Sequence, residues 1–234
     1  MSALAPDGRL RAAINPGNAV LARRAADGSV SGVSVDIAAA LAHELGVEVT
    51  HLVVDSARQA VEAVRHGQAD IGFFAVDPER GQGIAFTPPY VLIEGCYLVA
   101  NTSPIRDLDE VDDAAHRVVT ATASAYDLFL TRHLRHARIV RVPTSQEVVP
   151  QFIAQGCEVA AGVRQQLEAD RQRLGGLRLL DGAFMTIGQA IGTSADKGVE
   201  AIDALSAFVD GLKRSGALAD ILRRNGAGAV TIAP

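Results

Sequence analysis

Between residues 10 and 76 the chain alternates short β-like runs with amphipathic helical patterns, and that order admits few folds. Residues 10–14 read as a strand, 26–29 as a turn and 30–35 as a continuing strand. Ile37, Ala38, Leu41, Ala42 and Leu45 then share one helical face, and Gly46 ends the helix. Residues 47–54 return to a β pattern. Ala57, Ala60, Val61 and Val64 give a second amphipathic helix, stopped by Gly67. Residues 70–76 form a nearly continuous apolar run, as in a strand buried on both faces. Strand–helix–strand–helix–strand is the order of a parallel sheet with right-handed crossovers.

Pro88 and Pro89 interrupt the pattern, 96–100 reads as another strand, and the cycle then restarts. Strands are expected at 117–121, 139–142, 159–163, 177–180 and 187–191, and helices at 126–134, 146–154 and 164–174. Two helices close the chain. The first carries Val199, Ile202, Leu205, Val209 and Leu212 at helical spacing, and the second spans 218–223. The chain is therefore two α/β units in series. A length of 234 residues is enough for two such cores.

Several functions lose their usual signature. Net charge is −5 and the basic residues are scattered, which argues against nucleic acid as partner. No apolar run is long enough to span a bilayer. The N-terminus lacks a basic region followed by an apolar core, which fits either a cytosolic chain or one whose secretory signal has been removed. There is no G-x-G-x-x-G after a strand, no phosphate-binding G-x-x-x-x-G-K-[ST] and no G-x-S-x-G elbow. His133 and His136 are three apart among arginines, where a solvated surface explains them better than a metal. Cys96 and Cys157 sit in apolar runs and read as two buried thiols rather than a disulfide. No cofactor is expected.

Five segments, taken in order, resemble the family 3 extracellular solute-binding proteins, the polar amino-acid-binding components of bacterial ABC transporters. They are Gly32-Val33-Ser34-Val35-Asp36-Ile37 with Leu45-Gly46-Val47, Gly67-Gln68-Ala69-Asp70-Ile71-Gly72, and Pro78-Glu79-Arg80 with Ile84-Ala85-Phe86-Thr87-Pro88-Pro89-Tyr90. Ser103-Pro104-Ile105 with Leu108 follows, and then Gly216-Ala217-Leu218 with Ile221-Leu222. The resemblance implies an α/β, two-lobed fold of the periplasmic-binding-protein type II class. Each lobe would be a mainly parallel sheet flanked by helices, joined by a two-strand hinge near 97–101 and 188–192. Lobe 1 would be residues 1–98 together with 193–234, and lobe 2 residues 99–192. A small anionic solute would bind in the interlobe cleft, close it, and be delivered to an ABC transporter permease. It would carry a carboxylate and be amino-acid-like, a dicarboxylate or a keto acid. A monomer working in the periplasm is implied.

On that resemblance Arg80 is the residue that clasps the ligand's carboxylate, since a planar guanidinium meets a carboxylate with two parallel charge-assisted bonds. The plain alternative is a surface arginine in a charged loop. Ser124, with Thr122 on the same approach, falls where the family opens a lobe 2 helix, and a helix start offers N–H groups to an anion; it is also an ordinary N-cap serine. Ala75 stands where amino-acid binders of the family carry Ser or Thr. Arg164 stands where they carry the aspartate that meets the ammonium, so a second anion is expected in place of an ammonium, unless Arg164 merely faces solvent. Asn18 replaces an expected aromatic. Phe73 and Phe74 open the loop before Arg80, and alternation allows only one to face the ligand; Phe74 is taken as that contact. Gln189 lies at the second hinge. Asp77 and Glu94 are the acids expected near the mouth.

Two other functions use the same scaffold. One is a dehydratase of cyclohexadienyl acids such as arogenate, which would need a buried proton donor; Glu158 is the nearest candidate. The other is a soluble sensor module.

Overall fold

The computed structural model describes residues 4–77 and 81–234. The chain divides into two compact units, Met1–Leu92 with Gly188–Pro234, and Ile93–Ile187. The first unit opens with β1 (Arg9–Ile14), β2 (Arg23–Arg24), β3 (Val30–Ser31), α1 (Val33–Leu45), β4 (Glu48–Val53), α2 (Ala57–Arg65), β5 (Ile71–Ala75) and β6 (Ile84–Phe86). The chain leaves this unit within β7 (Val91–Ala100). The second unit continues with β8 (Arg117–Ala121), α3 (Ala125–His133), β9 (Arg138–Val142), α4 (Val148–Ala154), β10 (Val159–Val163), α5 (Arg164–Leu174) and β11 (Leu177–Leu179). The chain returns within β12 (Met185–Ser194) and ends in α6 (Val199–Ser215), α7 (Ala217–Arg224) and β13 (Thr231–Ile232).

In the first unit β4, β1 and β5 run parallel, and β12 adds antiparallel to β5 with Gln189 opposite Ala75. β6 pairs with β12, and β13 with the first residues of β7. Leu10, Ile14, Ile37, Leu41 and Ile71 are fully buried here. The terminal helices cover their apolar faces in this unit: α7 packs on α1, and Leu218, Ile221 and Leu222 are buried. In the second unit β10, β8 and β9 run parallel, with β7 antiparallel to β10 and β11 antiparallel to β7. A core lies on each face of that sheet. One gathers Val119, Ala121, Val149, Phe152 and both cysteines, and the other Tyr97, Val118, Leu130 and Val159. Neither cysteine forms a disulfide.

Most expected elements recur, with instructive exceptions. Residues 30–35 do not continue as a strand. β3 stops at Ser31, and α1 begins at Val33, after Gly32 at φ 129°. A Cβ at Gly32 would stand 2.6 Å from the Leu21 carbonyl oxygen, so the turn needs glycine for both its dihedral and its space. The strand expected at 96–100 starts at Val91, one residue beyond the proline pair, and that at 187–191 extends to Met185–Ser194. β6 and β13, of three and two residues, are too short to announce themselves by pattern. The helix expected at 146–154 opens as a tight turn, Ser145–Glu147, before α4.

Candidate functional site

Parallel strands β8, β9 and β10 end on one edge of the second unit's sheet, and loops beyond such carboxyl ends are where an open α/β sheet meets a ligand. After β8, the Thr122 N–H and hydroxyl both donate to the Val142 carbonyl, at 2.8 and 3.0 Å. Ala123 then adopts φ 55°, in the left-handed region. That turn makes Ser124 the N-cap of α3, its Oγ accepting the Asp127 N–H at 3.1 Å. The Asp127 carboxylate accepts the Ala123 N–H at 2.8 Å and the Arg141 Nε–H at 2.9 Å. An internal carboxylate thus answers part of the positive field at the start of α3. Ser124 is partly exposed and Thr122 exposed.

A recess opens at this edge, lined by Thr120, Ser124, Ser145 and Gln166 with apolar neighbours such as Val148 and Leu167. Among the described residues no charged side chain lines it. Gln166 Nε2 donates to the Ser145 carbonyl at 2.8 Å, tying the start of α5 to the loop after β9. Thr120, Ser145 and Gln166 escape the sequence reading. Thr120 alone leaves a signal, as the one polar residue within the apolar run Val118-Val119-Thr120-Ala121.

Arg164 opens α5 at the same edge and is half-buried. Its Nε donates to the Glu94 carboxylate on β7, and its Nη2 donates to the Gly182 carbonyl at 2.5 Å. Burial works against the guanidinium's charge, and the Glu94 hydrogen bond, together with the interactions with Cys96 and the Glu94 charge, outweighs it and holds the proton above the ordinary arginine value. Arg164 and Glu94, one of the two acids expected near the mouth, are therefore one ion pair. Arg164 brings no uncompensated positive charge to the site.

In the first unit Ala75 and Gln189 face each other in register and are both buried. Asn18 lies in the loop after β1, where its Oδ1 accepts the Val20 N–H at 3.1 Å and holds its own turn. β1 and β5 are parallel, so that loop and the segment after Ala75 leave the same sheet edge. Asp77 is buried. Arg80 lies outside the described residues. Phe74 is a core side chain, 1% exposed, its ring edge-on to Phe86. Added Cβ atoms at Gly72 and Gly192 would come within 2.4 and 2.8 Å of that ring, so the two glycines shape its slot. The expectation for Phe74 is corrected accordingly: Phe73 is the partly exposed member of the pair.

Glu158 is no free acid. It stands before the amino end of β10, away from the recess edge, and accepts the Arg117 N–H, Nε and Nη2 at 2.8, 3.0 and 2.9 Å. The Arg117 hydrogen bonds hold its carboxyl below the ordinary value, the wrong direction for a proton donor. Burial pushes the Cys96 thiol up to about 11, away from thiolate chemistry. Among the described residues no group of acidic, His and Cys side chains is arranged to hold a metal, and no helix is long and apolar enough to cross a membrane.

Known structures share this architecture. A putative ABC-transporter binding component of Wolinella succinogenes, complexed with lysine, is 18% identical, with TM-score 0.82 over 93% of this chain and 95% of that one. An amino acid ABC transporter substrate-binding protein of Streptococcus pneumoniae, bound to L-arginine, is 20% identical, with TM-score 0.82 over 96% and 97%. An ancestral amino-acid-binding protein described as a precursor of cyclohexadienyl dehydratase is 17% identical, with TM-score 0.80 over 94% and 96%. These likenesses show the type II periplasmic-binding-protein fold. No curated protein sequence matches. The model of the bacterial extracellular solute-binding proteins, family 3, matches residues 10–227, and the chain belongs to that family.

Proposed function

We propose that this chain is a transport receptor that binds a small, carboxylate-bearing, amino-acid-like solute and hands it to an ABC transporter permease. The observation that carries the reading is the edge formed by the carboxyl ends of β8, β9 and β10. It joins a capped helix start, Ser124, to a small uncharged recess. Such an edge offers hydrogen bonds and a weak positive field and, among the described residues that line the recess, no charged acid or base. Arg80 remains the proposed clasp for the carboxylate, on the family resemblance alone. The pairing of Arg164 with Glu94 removes the motive for a second anionic group, so one carboxylate suffices. The engagement of Glu158 with Arg117 counts against the dehydratase reading. The receptor would act as a monomer outside the cytoplasmic membrane.

A thermal-shift screen against amino acids, keto acids, dicarboxylates and prephenate tests this, because a ligand raises the midpoint by mass action. A carboxylate hit is expected, with Arg80→Ala weakening it at least about tenfold, since a charge-assisted hydrogen bond contributes roughly 1.5–3 kcal/mol. An unchanged dissociation constant in calorimetry removes Arg80 from the site. Turnover of prephenate or arogenate overturns the receptor reading.

A further inference from the structure

Asp127 lies in the first turn of α3, and only 7% of its side chain is exposed. A carboxylate there supports its own helix, and it also takes up the positive field that an anionic solute would use. An anion received at the start of α3 would lie within about one helical turn of that charge, roughly 5 Å of rise. That separation is shorter than the Debye length, about 8 Å at physiological salt. With a bare Asp127, the edge would repel a carboxylate. Arg141 removes the conflict. It stands on β9 opposite Thr120 of β8, and its Nε donates to both Asp127 carboxylate oxygens, at 2.9 and 3.2 Å. Its Nη2 donates to Thr131 Oγ1 at 2.8 Å, and that hydroxyl donates to the Asp127 carbonyl at 2.7 Å. The guanidinium is thus held in one orientation against α3. The next residue, Val142, accepts both Thr122 donors, so the strand that carries Arg141 also fastens the turn leading into α3.

We propose that Arg141 is a positioning residue of the binding edge: by neutralising Asp127 it keeps the start of α3 attractive to a carboxylate, without touching the solute itself. The inference rests on the receptor reading and adds to it a residue that sets affinity through charge. A pair that served the fold alone would lose binding whichever member were removed. A pair that masks charge behaves otherwise, since its two members act on an anion with opposite signs.

The test is calorimetry with L-alanine, L-glutamate, pyruvate, succinate and inorganic phosphate, on the wild type and three variants. Arg141→Met leaves the Asp127 carboxylate uncompensated and is expected to weaken the carboxylate that binds at least about tenfold, because a like charge this close disfavours an anion by that much or more. Asp127→Asn keeps an oxygen for the Ala123 N–H and leaves Arg141, 42% exposed, charged and solvated. It is expected to tighten binding about threefold or more. The double variant carries no charge at either position and should bind within about threefold of the wild type. Arg141→Met strands a buried charge and should melt lowest; where it does not fold, the wild type, Asp127→Asn and the double variant still decide. Binding no tighter in Asp127→Asn, binding unchanged in a folded Arg141→Met, or a double variant more than about threefold weaker each overturns the proposal and leaves the carboxylate receptor standing. Binding of phosphate but of no carboxylate, with the same order of variants, keeps the charge-masking pair and overturns the carboxylate reading. Binding of none of the five overturns both.

Discussion

Asp70 has no side-chain exposure and still carries charge, because two cations meet it. Arg11 donates its N–H, Nε and Nη2 at 2.9 Å each, and Lys197 Nζ donates at 3.0 Å. Burial alone would raise the Asp70 carboxyl; the bonds from Arg11 and Lys197 outweigh burial and hold it below its ordinary value of 3.8. The folded-state value is thus depressed, so this stabilisation is fully present above pH about 4 and is lost as pH falls through the folded value. His51 acts higher on the scale. Burial lowers its value from the ordinary 6.5, so the unfolded chain binds the proton first and stability declines below that pH. The melting midpoint should fall in two stages, gently from pH 6.5 and steeply below pH 4. Asp70→Ala removes the buried carboxylate on which Arg11 and Lys197 converge and should cost about 3–5 kcal/mol, roughly 6–20 °C in the midpoint, while removing the lower stage. A variant that melts like the wild type at pH 7 would mean that the cluster is incidental. Little of this was legible from sequence, since Arg11 and Lys197 lie far from Asp70 along the chain. The Arg164–Glu94 pair escaped for the same reason, and its 70-residue separation turned an expected anion clamp into a neutral pair.

The link between β8 and α3 shows what local sequence does and does not fix. Ser124 followed three residues on by Asp127 is a helix-start signal, and the serine caps as that spacing implies. Ala123 is the strained member, a residue with a Cβ held at φ 55°. Ala123→Gly should stabilise the protein by about 1 kcal/mol, and Ser124→Ala should cost about 1 kcal/mol. Denaturant unfolding of the two variants separates the effects. A loss of stability in Ala123→Gly would show that Asp127 and Arg141 hold the turn without strain. Element ends set by glycine, such as Gly46 in the left-handed conformation after α1, were readable because the residue carries its own dihedral preference. The start of α1 was not, because Val33 and Val35 look like strand residues. What ends β3 is the approach of Gly32 to the Leu21 carbonyl, a contact between distant turns. Period-two alternation showed that Phe73 and Phe74 face opposite ways but not which one faces the core.

The path of the chain gives the two units different dependence on the C-terminus. The second unit is contiguous, Ile93–Ile187, whereas the first needs residues from both ends of the sequence. The late segments are integral to it. Gln189 to Gly192 pair with β5, Ala233 N–H donates to the Tyr90 carbonyl at 3.1 Å, and Arg224 and Asn225 both reach Asp36 at 2.7 Å. The family segments at Gly216-Ala217-Leu218 and Ile221-Leu222 were legible as a helix, but its place on α1 was not, since periodicity shows an apolar face without naming what covers it. That place makes α7 consequential. Leu218, Ile221 and Leu222 are each 3% exposed or less, and burial of such side chains contributes about 1.5–3 kcal/mol apiece. Together they rival the roughly 5–15 kcal/mol by which a whole domain is stable. A chain ending at residue 215 should therefore lose the first unit while the second keeps its own two cores. Limited proteolysis read by mass spectrometry should then yield a resistant fragment lying within residues 93–187, where the full chain resists throughout. Resistance across both units after truncation would mean that α7 only covers α1 and does not hold the first unit together. Rapid cleavage everywhere would mean that the second unit, despite its contiguous sequence, does not stand without the first.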